Sequence, residues 1–276
     1  MIPISGTTRV AGLIGYPARY SLSPALHNAA YAAMDLDACY VVFPVADDIA
    51  TAVEAVRAMD LLGASVTMPH KEAVVAHLDR LAPEAARLGA VNCIAVEDGA
   101  LVGYNTDGAG FVASLREELG IEPRGARVVV CGAGGAARAL VAALGDAGAA
   151  DIAVFNRSRE RAEALLGLAP GVARLASTDD VAGADLIVNA TPLGMAGELA
   201  GSVPVPVDTI GAHHAVVDIV YDPLRTPLLE GAAARGARTA NGVGMLVHQA
   251  AVQVELWTGR PAPVGAMRAA VAAHLG

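Results

Sequence analysis

Short apolar runs alternate with amphipathic stretches along most of this chain, which is the pattern of strands and helices laid down in turn, an α/β organisation. The first run, residues 10–14, reads as a strand. Ser23 and Pro24 stand where an N-cap and a first helical residue belong, so a helix is predicted over 23–34. A second helix is predicted over 47–59 and a buried strand over 64–67. Residues 94–103 hold two apolar runs on either side of Asp98-Gly99. That dipeptide accepts the positive φ angles of a type I′ turn, so the segment predicts a β-hairpin.

A helix over 108–119 follows, Pro123-Arg124-Gly125 breaks the pattern, and a valine-rich strand over 127–131 runs straight into glycines. From there a strand over 152–155, a helix over 159–166 and strands over 186–189 and 216–220 make a second α/β region. Helical spacing returns over 244–256 and 267–275. With 276 residues and no internal repeat, the chain has enough material for two domains, each burying its own core.

Composition narrows the functional classes. At 54% hydrophobic and 17% charged residues the chain lies far from disorder. Arg138, Asp146, Arg174 and similar charges interrupt every apolar run before the roughly 18 residues of a membrane span, so no membrane partner is expected. Residues 1–10 lack a basic start followed by an apolar core, which makes a cytoplasmic location the expectation. Cys39, Cys93 and Cys131 are widely spaced and suit neither a disulfide framework nor structural zinc; they are expected to be small apolar fillers. No pair among the seven histidines has zinc-ligand spacing, so no metal is expected. The formal charge of -9, without a basic cluster, argues against a nucleic-acid partner and means that any anionic ligand needs locally placed donors. The oligomeric state is open, a homodimer included.

The strongest local motif is Gly132-Ala133-Gly134-Gly135-Ala136-Ala137, between a predicted strand and a predicted helix. Gly132 suits a tight turn, Gly134 lets backbone approach a pyrophosphate, and the small residues Gly135, Ala136 and Ala137 allow close packing where phosphates meet a helix N-terminus. At the end of the next strand, where an NAD site carries a carboxylate for the ribose hydroxyls, stand Asn156, Arg157 and Ser158. An amide, a guanidinium and a hydroxyl all hydrogen-bond a 2′-phosphate that a carboxylate would repel, so the expected cofactor is NADP. Arg161, one turn on, either adds a second cationic contact or is a solvated helix-surface arginine.

Ketone reduction by a nicotinamide needs a donor for the oxygen as it gains negative charge. Ser65-Val66-Thr67-Met68-Pro69-His70-Lys71 ends a buried strand in polar residues and a proline turn, which places Lys71 at a predicted helix start. Gly103-Tyr104-Asn105-Thr106-Asp107-Gly108 ends the hairpin with Asp107 before the next helix. Taken singly, Lys71 reads as a solvated charge and Asp107 as a helix cap. Together they form an acid/base couple whose protons would belong to the pair.

Seven runs resemble those of shikimate dehydrogenases, in the family's order and across nearly the whole chain: Tyr20-Ser21-Leu22-Ser23-Pro24-Ala25-Leu26-His27-Asn28, Val66-Thr67-Met68-Pro69-His70-Lys71, Gly89-Ala90-Val91-Asn92, Asn105-Thr106-Asp107-Gly108, Asn156-Arg157-Ser158, the stretch from Asn189 to Met195, and the stretch from Gly242 to Gln249. The resemblance implies a substrate domain of residues 1–106 and 242–276, with an inserted Rossmann-type NADP domain of residues 107–241 and C-terminal helices returning to the first domain. It implies reversible, metal-free reduction of 3-dehydroshikimate to shikimate in a cleft between the domains, a step toward aromatic amino acids. Lys71 and Asp107 would be catalytic. Ser21 and Ser23 would hold the carboxylate of this small cyclic acid, and Thr67, Asn92 and Gln249 its ring hydroxyls, with Tyr221 near the substrate. Asn189, Thr191, Met195 and Gly242 would lie on the cofactor side.

One departure stands out. Many members of the family have Asn where this chain has Ser65, so a shorter hydroxyl replaces an amide arm. Quinate or an amino-substituted shikimate is the alternative substrate on that account, because sites built around hydroxyl recognition discriminate strongly. A nucleotide-binding regulator that has lost catalysis would be expected to lack Lys71 or Asp107, and both are present. The Ser-x-Ser and Asn-Thr-Asp motifs argue against a folate or thioester-linked glutamate enzyme of similar design.

Overall fold

The computed structural model describes residues 4–177 and 179–275; the first three residues, included above in the search for an export signal, lie outside the described residues. The chain divides into two compact units, Met1–Thr106 with Val247–Gly276, and Asp107–Leu246. Among the described residues no helix is long and apolar enough to cross a membrane.

The first unit opens with β1 (Arg9–Gly15), α1 (Ser23–Ala33), β2 (Ala38–Pro44), α2 (Ile49–Ala58) and β3 (Gly63–Val66). After a 3-10 turn at Ala73–His77 come β4 (Arg80–Leu81), α3 (Pro83–Leu88), β5 (Cys93–Glu97) and β6 (Ala100–Tyr104). These strands form one sheet in the order β2-β1-β3-β5-β6-β4. β1 runs parallel to β2 and β3, whereas β5 is antiparallel to both β3 and β6. The predicted hairpin is β5–β6, and its turn has φ 50° at Asp98 and 79° at Gly99, the left-handed pair a type I′ turn demands.

The second unit begins with α4 (Asp107–Ser114), which widens into a π-helical turn at Leu115–Leu119. β7 (Arg127–Cys131), α5 (Gly135–Asp146), β8 (Asp151–Phe155), α6 (Arg159–Leu166) and β9 (Ala173–Leu175) follow. Then come α7 (Asp180–Gly183), β10 (Leu186–Asn189), β11 (Ala215–Asp218), α8 (Pro227–Ala233) and β12 (Arg238–Ala240). The strand order is β12-β11-β10-β7-β8-β9 and every pairing is parallel. This is the doubly wound nucleotide-binding order, in which the winding reverses between β7 and β10 and ligands meet the loops at the strands' carboxyl ends there. Val128, Val129 and Val130 of β7 are buried on both faces, as a central parallel strand requires.

α9 (Val243–Thr258) and α10 (Val264–Leu275) complete the chain. In the first unit Trp257 of α9 donates from its indole Nε1 to the Ile94 carbonyl at 3.0 Å. A Cβ on Gly63 would fall 2.2 Å from that same nitrogen, so glycine in β3 is what lets the indole reach the sheet. Gly108 has a similar reason in the second unit: a Cβ there would lie 2.8 Å from the Ala143 methyl and 2.9 Å from the Ala139 carbonyl, so α4 crosses α5 at close range.

Several boundaries move from their predicted places. Ser23 is the first residue of α1 and Leu22 is its N-cap, without a side-chain cap bond. The capping bond comes from upstream, where Ser21 Oγ accepts from the Ser23 amide at 3.2 Å. Lys71 sits in a turn two residues before the 3-10 turn and not at the start of a regular helix. Asp107 is the first residue of α4. The strands β2, β4, β9 and β12 and the helices α3, α7 and α8 escaped the periodicity, since most are too short to show a period. All three cysteines are free, and burial raises the thiols of Cys93 and Cys131, the latter to about 12, so both behave as apolar fillers.

Candidate active site

The segment after β3 is held by its backbone. The Thr67 amide donates to Ile14 O at 2.9 Å, the His70 amide to Thr67 O at 3.0 Å, and the Val91 amide to Lys71 O at 2.8 Å. Buried His70 also joins the Val45 carbonyl through Nε2 at 2.8 Å. A Cβ on Gly15 would fall 2.3 Å from the Thr67 methyl, so that glycine admits Thr67 beside β1. Thr67 and Lys71 are both half-buried.

Around this strand end the first unit gathers an array of hydroxyls and amides. Asn92 Oδ1 accepts from the Thr106 amide at 2.8 Å, and Asn92 Nδ2 donates to Thr106 Oγ1 at 3.0 Å. The side chain of Asn92 thus closes on the residue immediately before Asp107, and both Asn92 and Thr106 are buried. Gln253 is also buried and donates to Gln249 Oε1 at 2.8 Å. Ser65 faces this array from inside: it accepts from Tyr40 at 2.7 Å and donates to Gln253 at 2.5 Å. Its hydroxyl proton is therefore engaged within the protein, so the shorter side chain at position 65 is a buried support for Gln253 and cannot donate to a ligand.

Ser21 Oγ donates to Ser23 Oγ at 3.0 Å, which brings the two hydroxyls together at the N-terminus of α1, a place suited to an anion. Beneath them lies fully buried His27, whose Nδ1 joins the Ser23 carbonyl at 2.9 Å. Its ring stacks on Tyr40 at 4.1 Å with 8° between planes and on Trp257 at 5.4 Å. Loss of hydration pushes the His27 pKa down to about 4, against a smaller opposing effect of the Ser23 carbonyl, so the ring is neutral at pH 7.

In the second unit the glycine turn follows β7. Gly132 has φ 119°, donates to Phe155 O at 2.8 Å, and could carry no Cβ, which would sit 2.7 Å from the Ala190 carbonyl. Gly134 is the N-cap of α5, and a Cβ on it would meet nothing within 4 Å, so the turn leaves open space at the helix N-terminus, a place suited to an anion. Gly135 and Ala136 open the helix, and Ala137 is completely buried beneath it. At the end of β8, Asn156 Nδ2 donates to Ser158 O at 2.8 Å and Ser158 caps α6 by accepting from the Arg161 amide at 3.4 Å. Arg157 and Arg161 are exposed, whereas Arg159 is tied to Glu163 at 2.8 Å.

The loop after β10 is built on Asn189, which is completely buried. Its Nδ2 donates to Leu193 O at 3.0 Å and to Asp218 Oδ1 at 2.9 Å, while its Oδ1 accepts from the Thr191 amide at 3.0 Å and hydroxyl at 2.6 Å. Asn189 thus shapes the loop from within, with both amide protons engaged, and what faces outward is half-exposed Met195. Asp218, aligned with Asn189 in the neighbouring strand, also accepts from Thr226 at 2.7 Å, and burial raises its carboxyl above the ordinary range. Gly242 donates to Val220 O at 3.0 Å and has no room for a side chain, since a Cβ would fall 2.0 Å from the Ile219 carbonyl. Tyr221 is half-buried, and burial raises its hydroxyl.

Tyr40, His27, Asp218 and Gln253 were not singled out as site residues in the sequence. Two carry a signal: His27 through its place in the run from Tyr20 to Asn28, and Gln253 through its position four residues after Gln249 on one helical face.

A doubly wound parallel sheet with a glycine turn at its switch point, joined to a second α/β unit rich in hydroxyl and amide donors, defines a two-unit nicotinamide-nucleotide oxidoreductase class. Three family models match the chain: shikimate dehydrogenase substrate binding domain over residues 13–94, shikimate / quinate 5-dehydrogenase over 115–193, and shikimate 5'-dehydrogenase C-terminal domain over 242–272. A shikimate dehydrogenase (NADP(+)) of Geobacter sp. (strain M21) is 46% identical over 284 residues, covering 99% of this chain and 97% of its own. Among solved structures, a shikimate dehydrogenase in complex with NADP+ has TM-score 0.93 at 36% identity, over 99% of this chain and 98% of its own. The Thermus thermophilus shikimate 5-dehydrogenase with NADP(H) and shikimate has TM-score 0.89 at 36% identity, over 96% and 99%. The chain belongs to the shikimate dehydrogenase family.

Proposed function

We propose that this protein is the NADP-dependent enzyme that interconverts 3-dehydroshikimate and shikimate. The observation that carries the reading is the donor array of the first unit. Paired hydroxyls at a helix N-terminus suit a carboxylate, and the Asn92, Thr106 and Gln249 groups suit ring hydroxyls. Thr67 and Lys71 stand at the end of β3, the strand whose Ser65 supports that array. The relatives' names specify NADP, and the glycine turn of the second unit with exposed Arg157 fits such a nucleotide.

When bound, NADPH supplies the hydride for the ketone carbon. The Ser21 and Ser23 hydroxyls orient the ring by its carboxylate, and Thr67, Asn92 and Gln249 fix its rotation. As the ketone oxygen gains negative charge, Lys71 and Asp107 act as one proton-transferring couple, an assignment that rests on the family match of their two motifs. Gly132, Gly134, Gly135 and Ala136 cradle the pyrophosphate, and Asn156, Arg157, Ser158 and Arg161 surround the 2′-phosphate. Asn189 and Thr191 hold the loop that presents Met195 to the cofactor, Gly242 lies on the cofactor side, and Tyr221 stands near the substrate. On this reading residues 1–106 with 242–276 are the substrate domain and 107–241 the NADP domain.

The test is the rate of nicotinamide absorbance change with shikimate and with quinate, each with NADP and with NAD. Shikimate with NADP should be fastest; turnover only with quinate, or only with NAD, would overturn the assignment. Arg157→Ala should raise KM for NADP by about tenfold or more through loss of a charge-assisted hydrogen bond and leave KM for NAD unchanged. An equal rise for both cofactors would remove Arg157 from 2′-phosphate recognition.

A further inference from the structure

Asp218 is a completely buried carboxyl that the proposed reaction does not use, and its two oxygens divide three donors between them. Oδ1 accepts from Asn189 Nδ2 at 2.9 Å and from the Val220 amide at 3.1 Å, and Oδ2 accepts from the Thr226 hydroxyl at 2.7 Å. The donors come from three places in the second unit: the end of β10, the backbone after β11 and the N-cap of α8. A carboxylate offers two acceptor oxygens to such a convergence, where an amide side chain has one. Asn189 and Thr226 are completely buried too, so none of the three side chains reaches a ligand.

Both oxygens act on one loop, residues 190–195. Asn189 opens it and holds Thr191 and Leu193 by its remaining bonds. At the far end Gly194 turns with φ 92° and lies against Thr226, where a Cβ would come 3.2 Å from the Thr226 Cβ. Met195 follows directly. The Val220 bond fixes the residue before Tyr221, and the Ala196 amide joins the carbonyl of Asp222, just beyond Tyr221, at 3.4 Å. We infer that Asp218 is a positioning residue that ties the Met195 loop and the Tyr221 segment into one body, and so sets where the nicotinamide end of the cofactor lies. It acts through Asn189, Thr226 and Val220 and touches neither cofactor nor substrate. The inference rests on the proposed roles of Met195 at the cofactor and Tyr221 near the substrate.

The experiment compares wild type, Asp218→Ala, Asp218→Asn and Thr226→Val for kcat with shikimate and for binding of NADP and of adenosine 2′,5′-bisphosphate, a fragment without the nicotinamide. Asp218→Ala should weaken NADP by about tenfold, the worth of one well-aligned hydrogen bond, and lower kcat by about 10- to 100-fold through misplacement of the reacting ring. The fragment should bind as it does to wild type. A parallel loss of fragment and NADP is what general damage to the second unit would give, and it would overturn the proposal. Asp218→Asn keeps one oxygen for Asn189 and Val220 and can turn its nitrogen to the Thr226 hydroxyl, which accepts, so kcat should stay within a few-fold of wild type. A loss as large as that in Asp218→Ala would overturn the proposal, because the charge and not the bonding pattern would then be at work. Thr226→Val keeps the volume and removes the hydroxyl, so it should repeat the Asp218→Ala pattern in smaller measure. Wild-type kcat and NADP affinity in that variant would overturn the proposal even if Asp218→Ala failed to fold. Absence of turnover in wild type would sink the functional reading instead. The inference is then decided by hydrogen exchange at the Thr191, Leu193 and Met195 amides, each bonded within the loop. Their exchange should be markedly faster in Thr226→Val with the glycine turn unchanged, and equal rates would overturn it.

Discussion

Replacing Lys71 by Ala should lower kcat for shikimate oxidation by about 10²–10⁴-fold, the usual worth of a positioned acid or base, while NADP affinity stays nearly unchanged. The separation of the two effects follows from the fold. Lys71 belongs to the first unit, in a turn whose position depends on backbone bonds that the substitution keeps, including the one from Val91 to its carbonyl. The glycine turn and the Asn156 to Ser158 segment belong to the second unit. Steady-state kinetics and a nucleotide-binding titration on the same variant give both numbers. Turnover within a few-fold of wild type would remove Lys71 from the mechanism, and a parallel loss of NADP binding would indicate a folding defect. Asp107→Asn keeps the buried size at the start of α4 while abolishing the carboxylate, so it should give a loss of the same order if the two act as one couple.

Mild acid should destabilise this protein through His27. The folded pKa of about 4 lies below the ordinary 6.5, so between those values the unfolded chain binds the proton and the folded chain does not. Stability therefore rises with pH across this window, is complete above pH 6.5, and falls as the pH drops toward 4. A shift of this size corresponds to about 3 kcal/mol in all, of which about 2 kcal/mol is lost between pH 7 and pH 5. The cause is structural: the ring is fully buried and packed against Tyr40 and Trp257, and among the described residues nothing is placed to accept a hydrogen bond from Nε2 once it carries a proton. The tyrosines beside it, Tyr31 and Tyr40, stay neutral over this range because burial raises both. Urea unfolding at pH 7 and pH 5 would measure the loss, with His27→Phe, which stacks but cannot titrate, as the reference. A wild-type midpoint as insensitive to pH as that of His27→Phe would show that the ring is not the acid-labile group. Because His27 Nδ1 bonds the Ser23 carbonyl, the same protonation should disturb the paired hydroxyls of Ser21 and Ser23 first.

The chain announced its α/β class through period and punctuation. Strands β1, β7 and β10, helix α6 and the Asp98-Gly99 hairpin were legible because each depends on a local rule: an apolar run long enough to bury, a helical face, or a dipeptide that tolerates positive φ. The glycine turn was legible for the same reason, since φ 119° at Gly132 is a demand made on a single residue. Asn156, Arg157 and Ser158 followed from their place at the end of the next strand. These are properties of neighbours in sequence, and chemistry between neighbours needs no knowledge of the fold.

Tertiary structure decided the rest. Ser65 read as a shortened ligand arm, and only the fold turned its hydroxyl inward to Tyr40 and Gln253, which lie 25 and 188 residues away. Asn189 read as a cofactor contact, whereas its strand places it beside Asp218, 29 residues on, and uses up its amide protons inside the loop. Gly63, Gly108 and Gly242 carry no turn signal; each is glycine because another element passes within 3 Å of where a Cβ would stand. A hydrogen bond or a steric contact between distant segments has no trace in local periodicity, since either partner alone is compatible with many neighbours. Such a contact exists only once both units have closed their cores, and packing then selects which polar atoms face inward and which remain for a ligand.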